Sequence, residues 1–501
     1  MSLPKTIAVI GAGVMGRGIA QLACSTGAVV RLYDVRPDAI DDAIAFIGKM
    51  LLRQAEKGTI ARADADRQIA NLHAAATLTD LADVDLVIEA AREDLATKQQ
   101  LFKELETIVG KDTILASNTS SLSITALAAA CADPARVAGL HFFNPAPLMK
   151  VVEVIPAVQT AEVTVARLTD FVHAFGHRAV RAEDSPGFLI NHAGRGLGTE
   201  ALRILQEGIA PVEEIDRVVR DVIGLKMGPF ELFDLTGMDV SSAVLTQIHA
   251  GFEQDPRLRS SHLARRQVEA GRFGRKSGRG WYEYDGDKRI EPNEPPSNAD
   301  LRPVWVEPNA DASSWLRTLV VAAGAPLDTG ATPDDASLLL VSPLGQDATV
   351  TATALGLDPT RTVAVDSWLG RGKRRGAMTT SVTRPAYREA ARAVLTADGS
   401  RVTITHDSPG FVAPRILANI VNTAADIAQQ RIATPADIDD AVRLGLGYPM
   451  GPLSLGDKYG PTHIVAVLDA MADFYGDPRY RVSPWLRRRA MLGVSLLTPE
   501  S

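Results

Sequence analysis

An internal repeat constrains the fold of this chain more than any other feature of its sequence. The run from Asp184 to Phe188 recurs as the run from Asp407 to Phe411. Further identities in the same ungapped register are Ile215-Asp216 with Ile438-Asp439, Met227-Gly228-Pro229 with Met450-Gly451-Pro452, and Asp234 and Gly237 with Asp457 and Gly460. Both stretches have helical patterning, so the sequence predicts a duplicated all-α domain.

The rest of the chain alternates short apolar runs with helical patterns, which is typical of a parallel sheet covered by helices. With 501 residues, several domains are expected. The predicted strands are Ile7–Ile10, Val29–Tyr33, Val84–Glu89, Thr113–Ala116, Val137–Phe142, Val151–Ile155 and Arg178–Val180, and, more weakly, Leu338–Val341, Thr362–Val365 and Val402–Thr405. We therefore predict an α/β Rossmann-like domain over 1–183, an all-α domain over 184–285, a linker over 286–310, a degenerate α/β remnant over 311–406 and the second all-α copy over 407–501.

Composition argues against several classes of partner. The net charge of −7 comes from mixed acidic and basic residues, so no broad basic face for nucleic acid is expected. No apolar stretch is long enough to span a bilayer. Cys24 and Cys131 are too few for a disulfide framework and lack metal-ligand spacing, which fits a reducing cytoplasm and predicts no metal site.

A glycine-rich turn follows the first predicted strand and opens a helix. Gly11 allows the tight turn, Gly13 lets the backbone approach a pyrophosphate, and Gly16 lets the helix pack on the strand. Asp34 closes the second strand, where its carboxylate can accept hydrogen bonds from the adenosine ribose and repel a 2′-phosphate. These residues predict a site for NAD rather than NADP.

Polar side chains also follow later strands, where ligands of open parallel sheets bind. Ser120 and His141 both come after predicted strands and can converge at one edge. Glu153 lies within an apolar strand, an unusual place for a carboxylate unless it is paired. A His141–Glu153 pair would fix the imidazole tautomer and stabilise its cationic form.

Together these segments resemble the 3-hydroxyacyl-CoA dehydrogenase family. The match extends from about Ile7 to Tyr284 through the runs Ala116–Ser121, Gly139–Pro145, Asp184–Phe188 with Asn191, Gly228–Glu231 and Gly278–Tyr282. The resemblance implies that NAD is the cofactor, that an acyl-CoA thioester is the substrate, and that the helical domain commonly serves dimerisation.

The resemblance also implies roles for individual residues. His141 would take the 3-hydroxyl proton, Glu153 would orient and charge it, and Ser120 and Asn191 would hydrogen-bond the substrate oxygens. Residues at family NAD-contact positions are Ala90, Glu93, Lys98 and Asn144. Lys57 matches a lysine that meets the CoA phosphates, although a solvated surface lysine is an equally simple interpretation.

The second half departs from the first at the positions that chemistry needs. Pro414 corresponds to Asn191, Met378 is interpreted as the counterpart of His141, and Trp368-Leu369 stands near the place of Thr119-Ser120. We therefore expect one active site per chain, with the two helical copies packed as an internal pseudo-dimer and a further homodimer left open.

The long form resembles bacterial enzymes of phenylacetate or fatty acid breakdown that act on 3-hydroxyadipyl-CoA or 3-hydroxybutyryl-CoA. Arg195 or Arg203 could then meet a distal carboxylate. Three alternatives stay open from sequence: a non-catalytic or redox-sensing NAD-binding protein on the same scaffold, a lysine-dependent 3-hydroxyacid or 6-phosphogluconate dehydrogenase, and a fragment of a multifunctional β-oxidation protein. Intact Ser120, His141, Glu153 and Asn191 argue against the first.

Overall fold

The computed structural model describes residues 3–296, 301–309 and 311–500. They form two compact units. The first unit comprises the chain up to His192 together with Gln430–Leu446, and the second comprises Ala193–Gln429 together with the chain from Gly447 onward. A short piece of the second predicted helical copy thus belongs to the first unit.

The first unit is built around an eight-stranded sheet with the order β3-β2-β1-β4-β5-β6-β7-β8. Its strands are β1 (Thr6–Ile10), β2 (Val29–Tyr33), β3 (Leu72–Ala74), β4 (Leu86–Glu89), β5 (Ile114–Ser117), β6 (Val137–Phe142), β7 (Val151–Pro156) and β8 (Arg178–Arg181). Its first helices are α1 (Val14–Ser25), α2 (Pro37–Glu56), α3 (Arg62–Ala70), α4 (Leu95–Ile108), α5 (Ile124–Ala128), α6 (Glu162–Ala174) and α7 (Ile190–Ala193). The central strands are almost wholly apolar and buried, since a sheet covered on both faces leaves no solvent side.

The prediction of a parallel sheet is wrong for its last two strands. The strands from β3 to β6 are parallel, but β7 runs antiparallel to β6, and β8 runs parallel to β7. The connection between Phe142 and Val151 is too short for the crossover helix that a parallel neighbour requires. The three-residue β3 was not predicted, because so short a run shows no clear periodicity.

The second unit contains most of both helical copies and a second large sheet. Its helices are α8 (Arg195–Gln206), α9 (Val212–Val218), α10 (Pro229–Thr236), α11 (Met238–Gly251), α12 (His262–Glu269), α13 (Ser313–Ala322), α14 (Ala348–Ala354), α15 (Pro385–Leu395), α16 (Val412–Gln429), α18 (Pro452–Tyr459), α19 (Pro461–Tyr475) and α20 (Pro484–Leu492); α17 (Pro435–Gly445) lies in the first unit. Its strands are β9 (Glu283–Asp285), β10 (Lys288–Ile290), β11 (Val304–Val306), β12 (Leu327–Asp328), β13 (Leu338–Val341), β14 (Thr362–Val365), β15 (Arg374–Thr379) and β16 (Arg401–Thr405).

The stretch predicted to be a linker over 286–310 contains two strands. β10 pairs with β9 in a hairpin, and β11 pairs with β13 in the second sheet through Val304↔Leu338. Residues 297–300 and 310 of this stretch lie outside the described residues. The surrounding Pro, Glu and Asn residues obscure the three-residue apolar run of β11 in the sequence.

The second sheet, ordered β12-β11-β13-β14-β15-β16, repeats the far end of the first. β15 is antiparallel to β14 and parallel to β16, as β7 is to β6 and β8. Met378 therefore lies on the counterpart of β7, and its assignment to the position of His141 is wrong. Trp368-Leu369 follows β14, the counterpart of β6, so its assignment to the loop after β5 is also wrong. Gly376 stands where Glu153 stands in β7, and β14 contains no histidine, so the conclusion that this half lacks the base is unchanged.

The aspartate of the repeated motif has the same structural role in both halves. The Asp184 carboxylate accepts hydrogen bonds from the Ile124 and Thr125 N–H groups at 2.9 and 2.7 Å, at the start of α5. The Asp407 carboxylate accepts from the Ala348 and Thr349 N–H groups at 2.8 and 3.1 Å, at the start of α14. Each carboxylate satisfies free N–H groups and complements the helix dipole.

Because these carboxylates cap helices from a distance in sequence, Asp184→Ala and Asp407→Ala should each lower the unfolding free energy of the affected transition by about 1–2 kcal/mol. Urea unfolding measures the change. Asp42→Ala, at an exposed position of α2, is the control and should shift stability by less than about 0.5 kcal/mol. Equal effects of Asp407→Ala and Asp42→Ala would contradict the capping role.

Candidate active site

The glycine turn after β1 leaves open space at the start of α1. Gly11 has a φ of +101°, and a Cβ there would lie 2.5 Å from the Ala90 carbonyl oxygen. A Cβ on Gly16 would lie 1.6 Å from the Gly11 oxygen, whereas a Cβ on Gly13 would meet no atom within 4 Å. The first two glycines are therefore required by packing, and Gly13 leaves room for a ligand beside the free N–H groups of α1. This arrangement fits a dinucleotide pyrophosphate.

Asp34 lies beside the turn, directly after β2. One carboxylate oxygen accepts from the Ala12 N–H at 2.8 Å, and the other accepts from the Arg36 N–H at 3.0 Å. These bonds hold the carboxylate at the end of β2, where the ribose of a bound dinucleotide is expected. The Arg36 side chain is largely exposed, with its Nε 3.9 Å from Asp34.

A buried ion pair lies at the end of β4. Lys98 Nζ lies 2.5 Å from Glu89 Oε1, and both side chains are fully buried. Glu89 also accepts from the Ala91 N–H at 2.7 Å and from the Ser117 hydroxyl at 2.6 Å. Glu89 and Ser117 were not singled out from the sequence, although a glutamate that closes an apolar strand was a usable signal. Lys98, expected among the NAD contacts, is engaged with Glu89 here.

Glu93 organises the loop that carries Ser120. Its Oε1 accepts from the Thr119 hydroxyl at 2.6 Å and from the Ser120 N–H at 2.9 Å. Burial raises the pKa of Glu93, but the Thr119 hydroxyl and the Lys98 ammonium group more than offset this, so its pKa lies below the ordinary value. The ionised carboxylate holds the exposed Ser120 at the end of β5.

His141 and Glu153 face each other across the antiparallel pair β6 and β7. His141 Nδ1 lies 2.5 Å from Glu153 Oε2. The other carboxylate oxygen accepts from the Leu189 and Ile190 N–H groups at 3.1 and 2.8 Å. Because an ionised carboxylate can only accept hydrogen bonds, Nδ1 carries the proton and neutral His141 has its lone pair on Nε2. The phenyl ring of Phe143, centred 4.4 Å from the imidazole, flanks this pair.

The remaining predicted residues lie after β5, after β6 and in α7. The Asn118 side chain accepts from the Phe142 N–H at 2.8 Å and so ties the loop that leads to Ser120 to the strand of His141. Asn191 is the second residue of α7 and follows Ile190, whose N–H holds Glu153. Asn144 is exposed just after β6.

A cleft of about 460 Å³ opens between α1, α2 and the loop after β6. Three cations line it, Arg17, Arg53 and Lys57, together with Phe46, Met50 and the run from Asn144 to Leu148. The Arg17 guanidinium stacks 3.9 Å from the centre of the Phe46 ring. The cleft thus combines positive charge with apolar surface beside the predicted NAD site.

The fold and the glycine turn define a dinucleotide-binding domain, and comparison with known families identifies it further. Residues 6–185 match the NAD binding domain of 3-hydroxyacyl-CoA dehydrogenase. Residues 187–284 and 410–495 each match the C-terminal domain of the same family, which confirms the duplication. The chain belongs to the 3-hydroxyacyl-CoA dehydrogenase family, and NAD is its cofactor.

Among its relatives, one from Escherichia coli K12, named 3-hydroxyadipyl-CoA dehydrogenase, is 37% identical over 97% of this chain and 98% of its own length. A probable 3-hydroxybutyryl-CoA dehydrogenase from Bacillus subtilis is 41% identical over 56% of this chain and 98% of its own length. A crystal structure named 3-hydroxybutyryl-CoA dehydrogenase, from Escherichia coli K12, is 36% identical, covers 98% of this chain and 99% of its own, and has a TM-score of 0.84. The arrangement with two C-terminal domains is therefore shared over full length.

Two features are absent from the described residues, a membrane-spanning helix and a group of metal ligands. Over residues 3–296, 301–309 and 311–500, no helix has the length and apolarity needed to cross a membrane. Over the same ranges, no three His, Cys, Asp or Glu side chains are grouped as metal ligands.

Substitution by alanine should have different effects at Gly13 and at Gly16. Gly13→Ala should leave unfolding within about 1 kcal/mol of wild type, because its φ of −67° suits alanine and its Cβ meets no atom. It should weaken NADH binding by about tenfold or more, because the methyl group occupies the pyrophosphate space. Gly16→Ala should instead lower stability by about 1–3 kcal/mol through overpacking.

Calorimetric titration with NADH and urea unfolding of both variants measure these effects. Wild-type NADH affinity in Gly13→Ala would contradict the placement of the pyrophosphate.

Proposed function

We propose that this protein oxidises the 3-hydroxyl group of a 3-hydroxyacyl-CoA to a ketone, with His141 as the general base. The hydrogen-bonded pair of His141 and Glu153 carries this proposal. NAD supplies the acceptor for the hydride that leaves C3. His141 takes the hydroxyl proton on Nε2 in the oxidation and returns it in the reduction.

Glu153 acts by placing a fixed negative charge beside the imidazole. Both of its oxygens are occupied, one by His141 and the other by two backbone N–H groups. With these partners, the carboxylate places its charge beside the imidazolium that forms when the hydroxyl proton is taken, and stabilises it. It also fixes the ring orientation, so that Nε2 is the atom presented to the substrate.

Ser120 and Asn191 are proposed to hydrogen-bond the substrate oxygens. Glu93 fixes the Ser120 loop, and Asn191 follows Ile190, the first residue of α7, whose N–H group holds Glu153. Both groups therefore sit on segments that are anchored by charged hydrogen bonds, which suits a site that must position C3 and polarise its oxygen.

Removal of the base gives the first test. His141→Ala should lower kcat by about 10²–10⁴-fold while NADH affinity and unfolding stay near wild type. Glu153→Gln should also lower kcat strongly, because the imidazolium loses its counter-charge. His173→Ala, at an exposed position of α6, is the matched control and should keep full activity.

Proton balance adds a pH test to the same experiment. Oxidation consumes the neutral imidazole, so its rate should rise with pH, whereas ketone reduction consumes the imidazolium and should slow as pH rises. The initial rates of oxidation and of reduction, each measured over a range of pH, test this expectation. Absence of turnover in the wild-type protein would favour the alternative of a redox-sensing or non-catalytic NAD-binding protein. Full turnover in His141→Ala, or identical pH profiles in both directions, would remove His141 from the role of base.

The cleft beside α2 is the proposed site for the nucleotide part of CoA. Its three cations suit the phosphates, and its apolar surface suits the adenine ring. Lys57 lies at the end of α2 on the rim of this cleft. Phosphate contacts of this kind add binding energy to ground state and transition state alike, so they act on KM rather than on kcat.

Lys57→Ala should raise KM for acetoacetyl-CoA by about 3–10-fold, the loss of one exposed charge–phosphate contact, with kcat unchanged. KM for the acetoacetyl thioester of N-acetylcysteamine, which lacks the nucleotide, should not change. Lys49→Ala, an exposed lysine of the same helix that does not line the cleft, is the control. Equal KM values for Lys57→Ala and Lys49→Ala would place the nucleotide elsewhere.

The acyl group is proposed to be 3-hydroxyadipyl or 3-hydroxybutyryl, on the strength of the full-length relatives' names. A distal carboxylate needs a cation. Arg203 already pairs with Glu207 at 2.6 Å and is a poor candidate. Arg195 is the other candidate; burial lowers its pKa to about 10, which leaves it cationic at neutral pH.

The second helical copy is proposed to replace a partner subunit. α8 of the first copy packs against α16 of the second within one chain. This internal pseudo-dimer would bury the apolar face that a single-copy relative buries between subunits, with one active site per chain. A cytoplasmic location completes the proposal, and a further homodimer stays open.

A further inference from the structure

The two helical copies meet with pseudo-two-fold geometry. α8 contacts α16, its own counterpart in the repeat, and the turn Pro256–Leu258 contacts its counterpart Pro478–Tyr480. At the centre, a Cβ on Gly196 would lie 2.8 Å from the carbonyl oxygen of Asn419, which occupies the equivalent position of the second copy. Contact between equivalent elements is the property of an isologous interface, here within one chain.

The charges across this interface do not obey the pseudo-symmetry. Glu200 of α8 pairs with Arg415 of α16 at 2.7 and 2.9 Å, and both side chains are completely buried. In the ungapped register, the counterpart of Glu200 is Thr423 and the counterpart of Arg415 is His192. The ion pair therefore exists on one side of the pseudo-axis only.

A second ion pair of opposite polarity crosses the same interface. Arg257 of the first copy lies 2.8 Å from Asp426 of α16, and both side chains are largely buried. The run Asp255-Pro256-Arg257 recurs as Asp477-Pro478-Arg479, so the counterpart of Arg257 is Arg479, which lies 3.5 Å from Glu200. The counterpart of Asp426 is Arg203. The first copy thus supplies an anion to one pair and a cation to the other, and the second copy supplies the complements.

Pairing of like copies would lose the Glu200–Arg415 pair in either case. Two first copies would bring Arg257 towards Arg203 and leave Glu200 facing a histidine. Two second copies would leave the buried Arg415 facing Thr423, without the carboxylate that it has now, although Asp426 would still face an arginine, Arg479. A charge that stays buried without its partner is strongly unfavourable, whereas the matched pair satisfies both groups.

We propose that these two ion pairs select the partner of each helical face, so that the first copy accepts the second copy and rejects another first copy. The surface built on α8 and the turn Pro256–Leu258 therefore fits the second-copy surface of this chain and excludes pairing of like copies between chains. The inference rests on the internal pairing proposed above and not on the catalytic proposal.

Neutral, similarly sized side chains test this selection in the full chain. Glu200→Met with Arg415→Met removes the obstacle to pairing of second copies, and Arg257→Gln with Asp426→Asn removes the obstacle to pairing of first copies. Asp469→Asn with Arg487→Gln, an exposed ion pair between α19 and α20, is the control. Each protein is refolded from urea over a range of concentrations, and its species are separated by size-exclusion chromatography with light scattering.

The expected result is that both neutralised interface variants form species larger than the wild-type one, at least threefold more than wild type or control, with a share that grows with concentration. The purified wild-type-sized fraction should keep its rate with acetoacetyl-CoA, which separates this test from the catalytic one. Refolding of both interface variants to the wild-type species distribution at every concentration would overturn the proposal. If one variant does not fold, the other decides by the same criterion.

Discussion

The site depends on one buried carboxylate, that of Glu153. A charge in the middle of a sheet is stable only when its oxygens have partners, and Glu153 has three: His141 and the N–H groups of Leu189 and Ile190. These bonds connect β6 and β7 to Leu189 and Ile190, which directly follow the repeated motif. The same interactions that make the charge tolerable also orient the imidazole, so stability and chemistry are coupled at this residue.

The second half of the chain keeps residues that the fold requires and lacks residues that catalysis requires. Asp407 caps α14 as Asp184 caps α5, so the motif that joins sheet to helices is retained. Glycine replaces the buried glutamate at Gly376, and the neighbouring strand has no histidine. The second sheet has buried charges of its own, since Arg374 pairs with Asp221 and the Asp366 carboxylate after β14 accepts from the Trp368 and Leu369 N–H groups. These groups do not reproduce the His141–Glu153 pair, and this half is left with packing against the first copy.

Much of this organisation was predictable from sequence, for physical reasons. Buried strands such as Val137–Phe142 and Leu338–Val341 agree with prediction to the residue, because burial on both faces makes them largely apolar runs. The apolar pattern of a strand does not show whether the strand is parallel or antiparallel to its neighbour, so the antiparallel direction of β7 was not predicted. Met378 was misplaced because Gly376-Ala377-Met378 on β15 resembles the start of Gly139-Leu140-His141 on β6: in each run a glycine is followed by an apolar residue. The pair of His141 and Glu153 was predictable because the cost of an isolated carboxylate implies a partner; Lys98, by contrast, gave no sequence sign that it would pair with Glu89.

The most direct measurement of the central claim is the loss of nicotinamide absorbance when the purified protein is mixed with NADH and acetoacetyl-CoA or 3-ketoadipyl-CoA. NADPH and free acetoacetate serve as controls. The account predicts rapid oxidation of NADH with at least one of the two thioesters, and little with NADPH or with free acetoacetate. Absence of turnover with both thioesters, in a protein that binds NADH, would contradict an active His141–Glu153 site.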